Sequence, residues 1–184
     1  MNKPEIENIA DIIEQAKRGN NEAFSCLYTT YFSPVYRYVY FRITNKAEVS
    51  DVVQEVFLKA YTSFSNYSYS GKSPLAFFYT IARNIIIDAS RKKKISSVDI
   101  GEEAWPLIRD KADTPEEWLI KKEEALDLRN KIAFLPEDQQ EVIILRFIEE
   151  LETKEISTIL EKSEEAVRQL QSRGLKSLRK IYNN

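Results

Sequence analysis

The final stretch of the chain, residues 166–184, carries five basic residues and no acidic one, although acids outnumber bases by 29 to 27 over the whole sequence. A local excess of cations in an otherwise acidic chain predicts a surface that binds a polyanion. Arginine can donate a forked pair of hydrogen bonds to guanine, and glutamine can bind adenine in a bidentate way. The side chains suited to such contacts lie off the apolar stripe of the predicted helix: Arg168, Gln169, Ser172, Arg173 and Lys176.

The residues before this stretch indicate duplex DNA as the polyanion. Residues 153–160 have the pattern of a short amphipathic helix, three residues break the pattern, and a second helix opens at Ser163. Two helices joined by a tight turn are typical of a helix-turn-helix. A solvated cationic helix face is the alternative, since such surface helices are common. The predicted packing face of the second helix consists of Val167, Leu170, Leu175 and Leu178.

A second candidate interface is an acidic strip that contains one leucine. Its members, Asp51, Gln54, Glu55 and Leu58, are spaced three or four residues apart within a predicted helix, so they lie on one face. Solvation alone explains a leucine in this position poorly, and we expect a surface that docks another protein. The alternative is an exposed acidic face with one isolated apolar residue, because single surface leucines are normal.

A second basic region spans residues 72–94, where six bases face one acid. Aromatic rings, an amide and cations together suit single-stranded nucleic acid, because unpaired bases stack on rings while the backbone meets positive charge. The alternative is that Phe77 and Tyr79 are core aromatics and that the basic run favours the helix C-terminus. The candidate residues here are Tyr67, Tyr69, Lys72, Phe77, Tyr79, Arg83, Asn84, Arg91 and Lys92.

Catalytic chemistry has little support in the sequence. The chain has no histidine, a single cysteine, Cys26, and no glycine-rich phosphate loop, so it lacks the usual parts of a nucleophilic or zinc site. We therefore expect no enzymatic activity, no metal and no cofactor. No apolar run approaches the roughly 18 residues that span a bilayer, and the N-terminus lacks the pattern of a signal peptide. We expect no membrane insertion and a cytoplasmic protein.

The elements that position these residues are predicted to be helices throughout. Apolar residues recur at helical spacing, and four glycines with six prolines leave little room for hairpins. Gly19 and the Ser33–Pro34 pair indicate breaks between the first three helices. The first predicted helix ends near Gly19, the second covers about residues 21–31, and the third runs from Ser33–Pro34 to Asn45. The fourth runs from 46 to 64, and a fifth begins at Pro74.

A change in composition divides the chain. Residues 96–120 contain seven acids and two bases, which predicts a flexible acidic linker over residues 95–114. Thr114, Pro115 and Glu117 form a capping-box pattern with proline at the first helical position, which predicts the start of a second domain. We expect an all-α protein of two small helical domains, residues 1–94 and 115–184, with second-domain helices at 115–134, 136–148, 153–160 and 163–181.

Three sequence blocks together resemble bacterial RNA polymerase sigma factors of the extracytoplasmic-function (ECF) group. The blocks are DVVQEVFLKAY at 51–61, FFYTIARNIIIDASRKKK at 77–94, and residues 135–180. The resemblance implies, in that order, a helix that docks core RNA polymerase, a helix that reads and melts the −10 element, and a domain that binds the −35 element. It also implies an anti-sigma protein as a partner. Family members often carry tryptophan at Phe77, and arginine and alanine at Leu170 and Gly174.

Two other classes of function remain open from the residues alone. A free-standing helix-turn-helix regulator with an N-terminal sensor or dimerisation domain would bind DNA tightly without polymerase. A helical adaptor that binds only protein would have no salt-dependent affinity for DNA. Neither class requires the helix at residues 77–94, and that helix therefore favours the sigma-factor interpretation.

Overall fold

The computed structural model describes residues 9–69, 73–92 and 115–183, and every regular element in these ranges is helical. The predicted all-α class is therefore confirmed, while the predicted linker falls outside the described residues. The first helical group consists of α1 Ile9–Lys17, α2 Asn21–Arg42, α3 Val49–Ser63 and α4 Leu75–Lys92. The second group consists of α5 Pro115–Ala133, α6 Glu137–Ile143 with its π-helical continuation Ile144–Ile148, α7 Thr153–Leu160 and α8 Glu164–Tyr182.

Helix α2 runs unbroken through Pro34, so the predicted restart at Ser33–Pro34 is wrong. A proline inside a helix removes one backbone hydrogen bond and crowds the preceding turn, at a cost of about 3 kcal/mol. Tyr31 and Val35 on either side of it are both buried, and burying one large apolar side chain contributes about 1.5–3 kcal/mol. Tertiary packing on both sides of the proline therefore outweighs the local penalty.

The core of the first group is aromatic. The ring of Phe78 on α4 lies 5.5 Å from that of Tyr31 on α2 and 5.2 Å from that of Phe57 on α3, measured between centroids. Val53 and Val56 of α3 are also buried. Because α3 turns these residues inward, its acidic strip must face outward.

Local hydrogen bonds fix the geometry of α7 and α8. Helix α7 ends at Leu160, and the next residue, Glu161, adopts the left-handed conformation with φ of 53°. The hydroxyl oxygen of Ser163 then accepts a hydrogen bond from the Ala166 N–H at 3.2 Å and so caps α8. The predicted opening of the second helix at Ser163 is confirmed, and the tight turn makes α7 and α8 a helix-turn-helix.

Helices α6 and α8 approach each other closely at Gly174. This glycine is buried, and a Cβ built on it would lie 2.8 Å from Cγ1 of Ile143. No ordinary contact is that short, so the missing side chain lets the two helices meet. Gly174 therefore sets the orientation of α8 on its supporting helix.

The two helical groups pack against each other, a feature that the sequence does not predict. Helix α2 contacts α5 and the π-helical turn, and α4 contacts α7. The guanidinium of Arg129 on α5 donates a hydrogen bond to the Tyr40 carbonyl oxygen at 2.7 Å and stacks 4.4 Å from the centre of its ring. Two ion pairs also cross the boundary, from Arg37 to Glu149 and from Arg42 to Glu141.

We expect Gly174→Ala to lower the free energy of unfolding by about 1–2 kcal/mol, since overpacking against Ile143 outweighs the gain in helix propensity. Denaturant titration of the purified chain measures this change. Adding Ile143→Ala should remove most of the steric conflict, so the double variant should be more stable than the sum of the two single changes implies. A Gly174→Ala variant as stable as the parent would contradict the close packing.

Candidate functional site

The acidic strip on α3 is fully presented to solvent. Asp51, Gln54, Glu55 and Leu58 are all exposed, while the opposite face of the helix is buried. Leu58 is 64% exposed, the highest value among the exposed large hydrophobic side chains described in the first helical group. Glu55 pairs with Lys59 at 2.9 Å, but both side chains are about half exposed, and such surface pairs contribute little. The strip is therefore free to bind a partner.

Features beside the strip extend this surface beyond the predicted residues. Tyr61, one turn beyond Leu58 on α3, and Tyr28 on α2 are 46% and 40% exposed. A groove of about 370 Å³ separates α3 from α4 and is lined partly by Asp51 and Asp88. The helical spacing of Tyr61 from Leu58 could have predicted that Tyr61 extends the strip. Tyr28 and Asp88 lie on other helices, and no sequence spacing connects them with the strip.

The predicted surface on and before α4 is only partly exposed. Phe77 is half-buried in an aromatic cluster, with its ring 4.8 Å from that of Tyr67 and 5.7 Å from that of Phe64. Tyr67 and Tyr69 are half-buried, and Asn84 is exposed. Arg83 is partly buried. Lys72 lies outside the described residues, and Arg91 and Lys92 form the last turn of α4.

Tyr79 is a core residue, and this contradicts the prediction that it contacts DNA. Its side chain has no exposed surface, its ring lies 5.0 Å from that of Tyr38, and its hydroxyl donates a hydrogen bond to Glu149 Oε2 at 2.7 Å. Burial first, and then the charge of Glu149, raise the pKa of Tyr79. The cause of the error is that α4 is covered on two sides, by the first group and by α7.

The cationic face of α8 is exposed as predicted from its sequence. All five predicted residues, Arg168, Gln169, Ser172, Arg173 and Lys176, are exposed. Arg168 pairs with Glu164 at 2.9 Å and lies 3.7 Å from Glu165, one turn earlier on the same helix. These carboxylates occupy the positively polarised helix N-terminus, and because the pairs are exposed they can be exchanged for phosphate at little cost.

The packing face of α8 differs from the predicted one at one position. Leu175 is 43% exposed, and the neighbouring Gly174 is buried in its place. Leu170 and Leu178 are partly buried and pack against the core. The prediction for Leu175 was wrong because the close approach at Gly174 rotates the buried stripe by one residue.

Two further properties bear on the kind of site present. No helix in the described part of the chain is both long and apolar enough to cross a membrane. Among the same residues, no group of histidine, cysteine and acidic side chains is arranged to hold a metal ion. The candidate surfaces are thus an acidic strip and two faces suited to nucleic acid.

The chain carries, in order, an acidic strip, a mixed aromatic and basic helix and a helix-turn-helix, and it matches two models of one family of transcription proteins. The family model described as Sigma-70 region 2 matches residues 27–95, and the one described as Sigma-70, region 4 matches residues 132–180. Both matches end within a few residues of the elements described above.

Curated relatives identify the group. The chain is 32% identical to the ECF RNA polymerase sigma factor SigX of Bacillus subtilis over 86% of its own length and 83% of SigX. It is 31% identical to SigW of the same organism, over 91% of this chain and 93% of SigW. It is also 31% identical to BldN of Streptomyces coelicolor over 93% of its length, which spans 64% of BldN. The chain belongs to the ECF group of RNA polymerase sigma factors, which direct transcription initiation.

Solved structures share the fold. The structure of CnrH in complex with the cytosolic domain of CnrY has a TM-score of 0.72 at 19% identity, covering 94% of this chain and 96% of that one. The sigma factor RpoE of Bartonella quintana, solved with the anti-sigma factor NepR, has a TM-score of 0.68 at 18% identity, with coverages of 87% and 96%. At these identities the likeness concerns the fold alone.

The buried phenol of Tyr79 makes an alkaline dependence testable. Its pKa is raised above the ordinary 10.0 in the folded chain, so the stability it contributes is present below pH about 10 and declines as pH rises further. Replacing it in Tyr79→Phe should flatten the alkaline decline in free energy of unfolding by about 1.4 kcal/mol per pH unit. Urea titrations across this range measure the slope.

The matched control is Tyr28→Phe, which removes one hydroxyl from an exposed tyrosine in the same background. An identical alkaline slope for Tyr79→Phe and the parent chain would show that Tyr79 is accessible to solvent. That result would reopen its assignment to the core.

Proposed function

We propose that α3 docks this sigma factor on core RNA polymerase through Asp51, Gln54, Glu55 and Leu58. The observation that carries the proposal is that all four are exposed on one strip, with Leu58 64% exposed among acids. A partner that covers the strip removes the leucine from water and pairs its own cations with the carboxylates. Charge complementarity would set the register and the rate of association.

We propose a role for each helical group on the basis of its surface. Residues 1–94 would form the domain that docks polymerase, recognises the −10 element and melts DNA. Residues 115–184 would form the helix-turn-helix domain that binds the −35 element, and residues 95–114 would be the acidic linker between them. The family matches at residues 27–95 and 132–180 support this division.

Melting would depend on α4 and the loop before it. Half-buried rings at Phe77, Tyr67 and Tyr69 can accept a flipped base at little cost, because part of each ring already faces solvent. Asn84 is exposed and offers both a donor and an acceptor. The remaining contacts to the displaced strand and its phosphates would come from Lys72, Arg83, Arg91 and Lys92.

Recognition of the −35 element would depend on the cationic face of α8. Arg173 and Gln169 have the geometry for bidentate contacts to base edges, while Lys176 and Ser172 suit phosphates. Arg168 would exchange its partners Glu164 and Glu165 for DNA.

In this proposal RNA polymerase supplies the bond chemistry and raises the avidity of the chain for DNA. Non-specific affinities of such DNA-binding modules are about 10⁻⁴–10⁻⁶ M at physiological salt. Holding both modules on one polymerase makes the second contact intramolecular and can raise avidity by about 10²–10⁴. Polymerase performs the bond chemistry, so we propose that the chain itself is not an enzyme and acts in the cytoplasm. We also propose an anti-sigma partner, the kind of protein with which the RpoE of similar fold was solved.

Run-off transcription with purified core polymerase and a panel of promoter fragments tests this function and its docking surface together. We expect the parent chain to direct specific transcripts. Asp51→Lys with Glu55→Lys should weaken binding to polymerase by at least about tenfold, because like charges then face the partner's cations. The matched control is Glu22→Lys with Glu123→Lys, which makes the same charge change at exposed sites elsewhere. Equal affinity for both double variants would remove the strip as the docking surface.

A single arginine tests the reading of the −35 element. Arg173→Ala should weaken holoenzyme binding to its promoter by about 1–3 kcal/mol if the side chain reads a base. Arg179→Ala on the same helix is the control, since that exposed cation lies outside the predicted reading set. Footprinting on promoters altered at single −35 positions measures both effects. Equal losses for the two variants on all promoters would assign Arg173 to a phosphate.

A further inference from the structure

Leu175 is an exposed apolar side chain on the side of α8 that otherwise carries cations and polar groups. It is 43% exposed. Residues spaced three or four apart along a helix share one strip of its surface. The other members of the strip that contains Leu175 are the exposed residues Arg168, Ser172 and Arg179. A leucine thus lies in water among side chains that are proposed to meet DNA.

The close contact at Gly174 keeps Leu175 out of the core. A Cβ at Gly174 would lie 2.8 Å from Cγ1 of Ile143, so α8 meets its supporting helix through the glycine backbone. Successive residues are about 100° apart around a helix axis, and burial of Gly174 therefore turns the next residue toward solvent. The exposure of Leu175 is fixed by backbone packing and not by a choice of side-chain rotamer.

The chemistry of leucine limits what it can recognise on DNA. Its side chain has no hydrogen-bond donor or acceptor, so it can distinguish bases only through apolar contact. In the major groove the bases present hydrogen-bonding groups, and thymine also presents its C5-methyl group. The methyl group of thymine is therefore the base feature that fits a leucine on a DNA-facing helix.

The position of Leu175 along α8 places it near the residues proposed to read base edges. It lies about 3 Å from Arg173 and about 4.5 Å from Ser172 along the helix axis, at 1.5 Å per residue. The spacing between successive base pairs is about 3.4 Å. Cations before and after it on the strip, Arg168 and Arg179, can hold that side of the helix against phosphates. A base pair next to those read by Arg173 and Ser172 is thus within reach.

A contact between leucine and a methyl group has a modest energy and a distinctive salt dependence. Burying one methyl or methylene group corresponds to about a fourfold change in affinity. The contact neutralises no phosphate, so its contribution should not change with salt, whereas contributions from the neighbouring cations should. These two properties distinguish a base contact by Leu175 from an indirect effect on phosphate binding.

We propose that Leu175 contacts the C5-methyl group of a thymine in the −35 element and so makes the chain prefer an A·T pair at that position. Because the methyl group belongs to one strand, the contact also distinguishes the two orientations of the pair. The inference rests on the proposed binding of the −35 element by α8. It adds to that role one base that is recognised without a hydrogen bond.

Replacing single thymidines of the −35 element by 2′-deoxyuridine tests the contact, because this change removes the methyl group and leaves base pairing intact. The probe is a fluorescent promoter fragment chosen by run-off transcription. The protein is the full chain assembled with core polymerase, in the presence of competitor DNA. Dissociation constants are measured by fluorescence anisotropy for the parent, Leu175→Ala and Leu175→Met. The matched control is Phe134→Ala, which removes a 79% exposed apolar side chain from the same helical group but not from α8.

We expect deoxyuridine at one position of the −35 element to weaken binding of the parent by about threefold to fivefold. Leu175→Ala should bind the thymidine fragment more weakly by a similar factor and should be insensitive to deoxyuridine at that position. Leu175→Met keeps an apolar side chain of similar volume and should keep most of the sensitivity. Phe134→Ala should discriminate between the two fragments as the parent does. The salt dependence of binding should be the same for Leu175→Ala and the parent.

The inference is overturned if Leu175→Ala and the parent respond equally to every deoxyuridine, or if the −35 element contains no A·T pair. An equal loss of affinity by Leu175→Ala on both fragments would also overturn it, because Leu175 would then contact the DNA backbone or polymerase. Arg173→Ala separates these failures from failure of the proposed function. If only Leu175 is wrongly assigned, Arg173→Ala still weakens binding to the −35 element. If the proposed function is wrong, the parent assembled with polymerase binds no fragment specifically.

Discussion

A buried carboxylate needs a cation, and this requirement organises the boundary between the two helical groups. Glu141 and Glu149 would be too costly to bury alone, since an unpaired charge in a protein interior loses far more hydration than packing returns. Helix α2 supplies both arginines, Arg37 and Arg42, from its last two turns. Those turns follow Pro34 in one continuous helix, and that helix contacts α1 as well as α5 and the π-helical turn.

The same electrostatics explains how an acidic protein can carry the two proposed DNA-binding faces. A net charge of −2 gives the whole chain no attraction to a polyanion, so binding depends on how the cations are distributed. Arg37 and Arg42 are neutralised by glutamates, while the cations of α8 are exposed. The chain thus presents acids on the proposed docking strip and bases on the proposed DNA-binding face of α8. Separation of the two signs over the surface also limits non-specific attraction to nucleic acid in the absence of polymerase.

Much of the fold follows from the sequence alone. The capping chemistry at Ser163 and the apolar spacing predicted the second-group helices to within one or two residues, with the π-helical turn as the unpredicted detail. The exposure of the α3 strip and of the cationic face of α8 could also be predicted, because the opposite side of each helix is clearly apolar. The predicted helix break at Ser33–Pro34 was wrong because the local penalty of a proline decides the structure only where tertiary packing is weak. The prediction that Leu175 lies on the packing face was wrong because Gly174 lets α8 approach α6 through the neighbouring residue instead.

Tyr79 shows why the contact between the groups escaped prediction. Periodicity assigns each helix one apolar face, but α4 is packed on two sides, and its second covered side is lined by a phenol, an arginine and an isoleucine rather than by an apolar stripe. A surface of that composition has the same sequence signature as a nucleic-acid face. A usable signal lay in the two glutamates, Glu141 and Glu149, that flank the mostly apolar stretch from Val142 to Ile148, which only Arg146 interrupts. Acids on a segment that is mostly committed to a core must find cations, and in this chain α2 supplies them as Arg37 and Arg42. Such charge pairing between distant segments, rather than the periodicity of either one, is what specifies how the two halves meet.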